Sequence, residues 1–186
     1  MSLIGHSQSC ACCGDLGALR LGRRALLLGA AGAAVLPRFA RAESGGKYEA
    51  MILGCIDPRM QTPVRNYAVN GNLEGKYSQF IFAGAAIGAV APKFADWHKT
   101  FWDNLGITVN LHKITRLIAI DHRDCGAAEV AYGKDCCSTP EKEDATHKAA
   151  LAEFRKQADD WGLAHKWPLK VETYLMALDG TYIPLG

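Results

Sequence analysis

Two short apolar runs in this 186-residue chain each end on a cluster of reactive side chains. The first, Ala50-Met51-Ile52-Leu53-Gly54, leads into Cys55-Ile56-Asp57-Pro58-Arg59. The second, Arg116-Leu117-Ile118-Ala119-Ile120-Asp121, leads into His122-Arg123-Asp124-Cys125-Gly126. An apolar run without polar alternation reads as a strand buried on both faces, the condition of strands in a parallel sheet covered by helices. Ligands of such sheets sit beyond the carboxyl ends of the strands. Both clusters lie at that edge, so two islands remote in sequence can be neighbours in space.

The remaining pattern alternates in the same sense. Strands are expected over residues 47–54, 79–83, 116–121 and 169–178. A helix should start at Pro92, where the missing N–H is not needed, and run to Leu105 with Phe94, Trp97, Phe101 and Leu105 at helical spacing. Gly106 should stop or break it, with Ile107 to His112 as a second short helix. Gly126 to Tyr132 reads as a short helix. Glu141 to Trp161 reads as a long amphipathic one, with Ala150, Phe154, Ala158 and Trp161 on one face and Gly162 as its stop. Residues 61–76 contain Pro63 and Asn70-Gly71-Asn72 and predict a turn or two of helix, then loop; residues 84–91 predict a small-residue loop. After the turn at Asp179-Gly180, residues 181–185 form a short tail strand. The expected class is α/β: a mainly parallel four-stranded sheet flanked by helices, with a short extra C-terminal strand.

Residues 1–42 fall outside this domain, which is expected to span residues 43–186. Arg23-Arg24 precedes the uncharged run Ala25 to Leu36, and Ala40-Arg41-Ala42 follows. A charged n-region, a short apolar core and a small-x-small site are the order of a cleavable signal. The paired arginines point to the twin-arginine route, a receptor-read address and not an anchor. The run is shorter than the ~20 residues a spanning helix needs. Cleavage before Glu43 would deliver a chain without membrane anchor to the periplasm or outside. Five arginines and one aspartate leave with the leader, so the formal +2 of the whole chain becomes −2. Neither value, nor any interleaving of aromatics with basic clusters, supports a nucleic-acid partner. Cys10, Cys12 and Cys13 leave as well, so Cys55, Cys125, Cys136 and Cys137 remain.

Cys55, His122 and Cys125 together make a zinc donor set. Two thiolates and one imidazole leave the fourth tetrahedral position for water, the catalytic arrangement. The H-x-x-C pair can chelate one ion from a single turn, and Gly126 lets the chain leave into a helix. Asp57 and Arg59, two apart, can place both side chains on one side, where the guanidinium keeps the carboxylate ionised. Such a carboxylate either aims a bound water at an electrophile or coordinates the metal itself; as a loop feature alone it is an ordinary ion pair. Arg123 should point outward and Asp124 should bond the loop backbone. Phe82, Gly84, Ile87 and Val90 are expected to wall an apolar substrate pocket, while the Phe94, Trp97 and Phe101 stripe reads as core. His98, His112, His147 and His165 could move a proton to solvent, though each reads first as a surface residue. Cys136-Cys137 reads as two small loop residues or as a bridge to another subunit.

C-x-D-x-R followed by H-x-x-C-G after a strand resembles the β-class carbonic anhydrases, and the resemblance covers residues 47–180. It implies a β-carbonic-anhydrase-like fold with zinc held by Cys55, His122 and Cys125. It also implies an Asp57–Arg59 catalytic dyad, reversible hydration of carbon dioxide to bicarbonate, and a homodimer or higher homo-oligomer. The chain departs from the family in two places. An Arg-Asn-Ala-Gly stretch is usual after the second strand, where this chain has Ile81-Phe82-Ala83-Gly84. The N-terminal helical arm that embraces a neighbour has almost no counterpart after residue 42. Two alternatives share the site: hydrolysis of carbon disulfide or carbonyl sulfide, and an exported zinc-binding protein without catalysis.

Overall fold

The computed structural model describes residues 48–185; the leader, its arginine pair, its cleavage point and Cys10, Cys12 and Cys13 lie outside the described residues. The two apolar runs pair with each other. Strand β1 (Ala50–Gly54) and strand β3 (Arg116–His122) run parallel, with Ala50 opposite Arg116 and Gly54 opposite Ile120. Strand β2 (Tyr77–Ile81) adds to the other side of β1, and β4 (Lys170–Met176) to the other side of β3, both parallel. Strand β5 (Tyr182–Pro184) closes the far edge antiparallel to β4, giving the order β2-β1-β3-β4-β5. The α/β class, the four parallel strands and the short C-terminal strand are therefore as expected.

Period two along the strands sends alternate side chains to opposite faces. Ala50, Ile52, Ile118 and Ile120 meet Met60, Val64 and Ala68, so one face is covered by helix α1 (Gln61–Asn70) and the turn before it. Met51, Leu53, Leu117 and Ala119 point the other way. They meet residues of α2 (Ala86–Val90), α3 (Ala95–His112), α4 (Gly126–Tyr132) and α5 (Pro140–Ala164). Phe101 of α3 and Phe154 of α5 are wholly buried there. Burial of an aromatic of that size is worth roughly 1.5–3 kcal/mol over exposure. Among the described residues no helix is long and apolar enough to cross a membrane.

Several local expectations change. Helix α1 runs ten residues, not a turn or two, because Pro63 lies in the first turn, whose N–H groups have no helical acceptor. It stops at Gly71, whose N–H bonds Tyr67 O at 2.9 Å. Residues 86–90 of the small-residue loop coil into α2. Helix α3 begins at Ala95, after a 3-10 turn over Pro92–Phe94, and passes through Gly106. It continues because the buried stripe of Phe101 and Leu105 extends to Thr108 and Val109 beyond the glycine. Gly162 likewise lies within α5: the returning chain crosses it so closely that a Cβ there would sit 3.0 Å from Trp167 O. Strand β2 begins two residues early, at the edge, with Ile81 exposed.

Candidate metal centre

The register of β1 against β3 brings the islands together. Cys55 leaves the end of β1, His122 is the last residue of β3, and Cys125 caps α4 three residues later. One ligand atom from each, two sulfurs and an imidazole nitrogen, lies within 4.8 Å of the other two, and all three residues are buried. A tetrahedral zinc with Zn–S bonds of about 2.3 Å needs its sulfurs about 3.8 Å apart, so the corner has the size for one ion. His122 Nδ1–H donates to the Arg123 carbonyl at 2.8 Å, which fixes the tautomer and leaves Nε2 as the lone pair. That Nε2 is buried and has no hydrogen-bond partner among the described residues. A buried bare nitrogen beside two sulfurs is what a soft-to-borderline divalent cation would satisfy, and the residues fit zinc.

The electrostatics of the corner agree. A hydrogen bond from Cys125, helped by His122 and by the backbone N–H groups of Asp57 and Gly84, draws the Cys55 thiol well below its ordinary value against its burial. Cys125 moves up, because it supplies that hydrogen bond and would otherwise be a second anion in the same pocket. Burial disfavours the His122 cation, yet the Cys55 thiolate beside it raises the imidazole overall. A bound cation would take both thiols to thiolates.

Asp57 and Arg59 form a second, wetter cluster. Asp57 caps the 3-10 turn Pro58–Met60, its Oδ1 accepting Arg59 N–H at 2.9 Å. Arg59 Nε donates to Oδ1 at 3.0 Å and Nη2 donates to Oδ2 at 2.7 Å. These bonds hold the Asp57 carboxyl at about 2. The same oxygen, Oδ2, stands 4.0 Å from His122 Nε2, so the carboxylate borders the donor set while both its oxygens stay on Arg59. Arg59 also spans to the other island, with Nη1 donating to Asp124 Oδ2 at 2.6 Å and Nη2 to Asp124 O at 3.0 Å. Asp124 holds left-handed backbone, φ 57°, and its carboxylate faces Arg59 where a loop-backbone bond was expected. Glu143 of α5 accepts Asp124 N–H at 2.6 Å and Arg123 Nη1–H at 2.9 Å, so Arg123 is tied to α5.

A cavity of about 420 Å³ opens over the sulfurs, with Ile56, Phe94, Trp97, Ala127 and Val130 among its walls. Phe94 and Trp97 stack with ring centroids 4.3 Å apart. The residues expected to form this wall lie elsewhere. Phe82 packs on Trp97 and Phe101 and flanks a neighbouring depression along β2. Gly84 lies behind Cys55, donating its N–H to Sγ at 3.3 Å. Ile87 is wholly buried beneath it, and Val90 borders a separate depression beside Tyr132. The coiling of residues 86–90 into α2 turns Ile87 into the core and Val90 away from the sulfurs. Of the aromatic stripe, Phe101 is core and Phe94 and Trp97 are wall: helical spacing gives a shared face but not which end of that face meets the cavity. Gly84 is held at φ +81°, and a Cβ there would stand 3.1 Å from Ala127 Cβ.

His98, His112 and His165 bond Ala91 O, Ser78 Oγ and Trp161 O. His147, expected at the surface, is wholly buried on α5 and bonds Asp121. Cys136 and Cys137 are partly buried, with sulfurs 2.9 Å apart.

The chain is 33% identical over 131 residues to an uncharacterized protein of Rickettsia conorii, covering 70% of this chain and 68% of that one. It belongs to one family with that rickettsial protein. A second relative in the family, from Rickettsia bellii, is 34% identical over 131 residues, covering 70% of this chain and 77% of its own. No family model matches the chain. Among solved structures, this chain's fold is similar to that of β-carbonic anhydrases. One of two tetrameric β-carbonic anhydrases from Sordaria macrospora gives a TM-score of 0.52 at 14% identity, over 76% of this chain and 82% of that chain. The Coccomyxa enzyme in complex with acetazolamide gives 0.51 at 16%, over 75% and 72%. The enzyme from Aspergillus fumigatus gives 0.50 at 15%, over 76% of each.

Proposed function

We propose that this chain is a zinc-dependent carbonic anhydrase that converts carbon dioxide and water to bicarbonate and a proton, and back. One observation carries the reading: a buried Cys55, His122 and Cys125 donor set lies at the foot of an apolar cavity with the ionised Asp57 at its border. Zinc, when bound, supplies the Lewis acidity that makes water a nucleophile near neutral pH. The chain's own residues supply the rest. Phe94, Trp97 and Val130 offer a small nonpolar substrate a dry wall without a charged anchor. Asp57, kept ionised by Arg59, accepts a hydrogen bond from the attacking oxygen and orients its lone pair. Arg59 holds Asp57 back from the metal position by occupying both carboxylate oxygens. The proton leaves through solvent at the Asp57 side, which is partly exposed.

The apolar wall also suits carbonyl sulfide and carbon disulfide, which makes their hydrolysis the second reading; sulfide release would distinguish it. Export through a twin-arginine leader at residues 1–42 belongs to the same proposal, as does a homo-oligomer, for which the tetrameric Sordaria macrospora enzymes give the support. The test is stopped-flow hydration by zinc-loaded full-length chain. Hydration above buffer with one zinc per chain is expected; full zinc with silence towards carbon dioxide, carbonyl sulfide and carbon disulfide would leave a zinc-binding protein without catalysis.

A further inference from the structure

Behind the metal corner lies a buried hydrogen-bonded pair, Asp121 and His147, that the proposed chemistry does not use. Asp121 is the residue before His122 on β3, and the pleat sends its side chain to the opposite face, into the layer of α2 and α5. Both Asp121 and His147 are essentially without solvent exposure. Asp121 Oδ2 accepts from His147 Nδ1 at 2.8 Å, and Oδ1 accepts from the backbone N–H of Ala86 at 2.9 Å. His147 Nε2 has no partner among the described residues. An apolar pair of matching shape would normally serve a core as well as a buried polar one or better, so packing alone does not account for it.

The turn it grips offers a physical reason. Ala85 sits at φ 47°, ψ −114°, a conformation residues with a Cβ rarely adopt and one that surrounding structure must impose. One residue earlier, Gly84 aims its N–H at Cys55 Sγ. One residue later, Ala86 is tied to Asp121. We infer that His147 is a positioning residue for the metal centre: through Asp121 it holds the strained Gly84–Ala86 turn that points an amide at the Cys55 sulfur, and it braces the end of the strand that presents His122. The inference rests on reading Cys55, His122 and Cys125 as metal ligands. Outer hydrogen bonds of this kind typically change metal affinity by about 10- to 100-fold.

The test uses full-length protein loaded with cobalt(II), read by the thiolate-to-cobalt charge-transfer band, with zinc affinity from chelator competition and folding from near-ultraviolet circular dichroism. In His147→Leu the Gly84 amide loses its aim, so the band moves to lower energy and zinc binding weakens about 10- to 100-fold. His147→Asn restores both, because its amide nitrogen can stand where Nδ1 stood; a structural filler would show no such rescue. Asp121→Asn, nearly isosteric, moves the band the same way by less, and decides the question if the leucine variant does not fold. Folded variants with the wild-type band and affinity overturn the inference and leave the metal site standing. Wild-type protein that takes up no cobalt or zinc overturns both. Variants that shift as expected in a protein inert towards carbon dioxide uphold the inference and remove only the hydration reading.

Discussion

Each island divides its residues between two environments. Cys55, His122 and Cys125 turn inward to a dry corner, while Asp57, Arg59 and Asp124 turn outward, with Arg59 44% and Asp124 74% exposed. In the corner the low dielectric magnifies every charge, and one thiol moves far down while its neighbour moves up. In the outer cluster water screens the charges, and the value of the contacts lies in direction: three Arg59–Asp57 side-chain bonds within 3.2 Å and two more from Arg59 to Asp124 fix where one carboxylate points. The corner is therefore expected to decide whether metal binds, and the cluster how well the bound site works.

Cys55→Ser should have the largest effect, abolishing stoichiometric zinc and with it hydration; metal content and stopped-flow rates on one sample check this. Asp57→Asn keeps zinc and lowers kcat about 10²-fold or more, the usual scale for a lost acid–base partner. Loss of zinc in that variant would break the division between corner and cluster. Arg59→Ala comes next, with about a tenfold fall in kcat and zinc again retained, because Asp57 stays but is no longer aimed. The same variant carries a pH signature. In the wild type the folded Asp57 titrates at about 2, below the ordinary aspartate value of about 3.9. A depressed carboxylate stabilises the fold above its unfolded pKa, and that contribution is lost as pH falls from about 4 towards 2. Arg59→Ala should flatten the wild-type loss of stability in that window, seen in acid unfolding curves. Asp124→Asn should do least, changing kcat less than about threefold and less still at high salt, since its bond to Arg59 is solvent-screened.

The donor set was legible because it lies at the ends of two unbroken apolar runs, where sequence order and sheet topology leave little freedom. Asp57 and Arg59 were legible for a local reason, being two residues apart in one turn. What escaped depends on contacts between distant segments. Gly106 and Gly162 read as stops, but the packing of α3 and α5 carries helix through both. His147 continues the buried face of Ala150, Phe154 and Ala158 one turn back, but that period does not name its partner; only the approach of α5 to the end of β3 brings it to Asp121. The cavity wall is Phe94, Trp97 and Val130 and not Ile87 or Val90, because residues 86–90 coil into α2 instead of lying as loop, and not Phe82, which packs on Trp97 and Phe101 beside a neighbouring depression. A helical period of aromatics was visible, but not the point where that stripe passes from core to cavity.

The most direct test of the account is carbon dioxide hydration by the full-length chain, followed as zinc is titrated into metal-free protein. The account predicts a rate above buffer that rises with occupancy and levels off at one zinc per chain. A chain filled to that stoichiometry through Cys55, His122 and Cys125, yet no faster than buffer at any pH near neutrality, would contradict it.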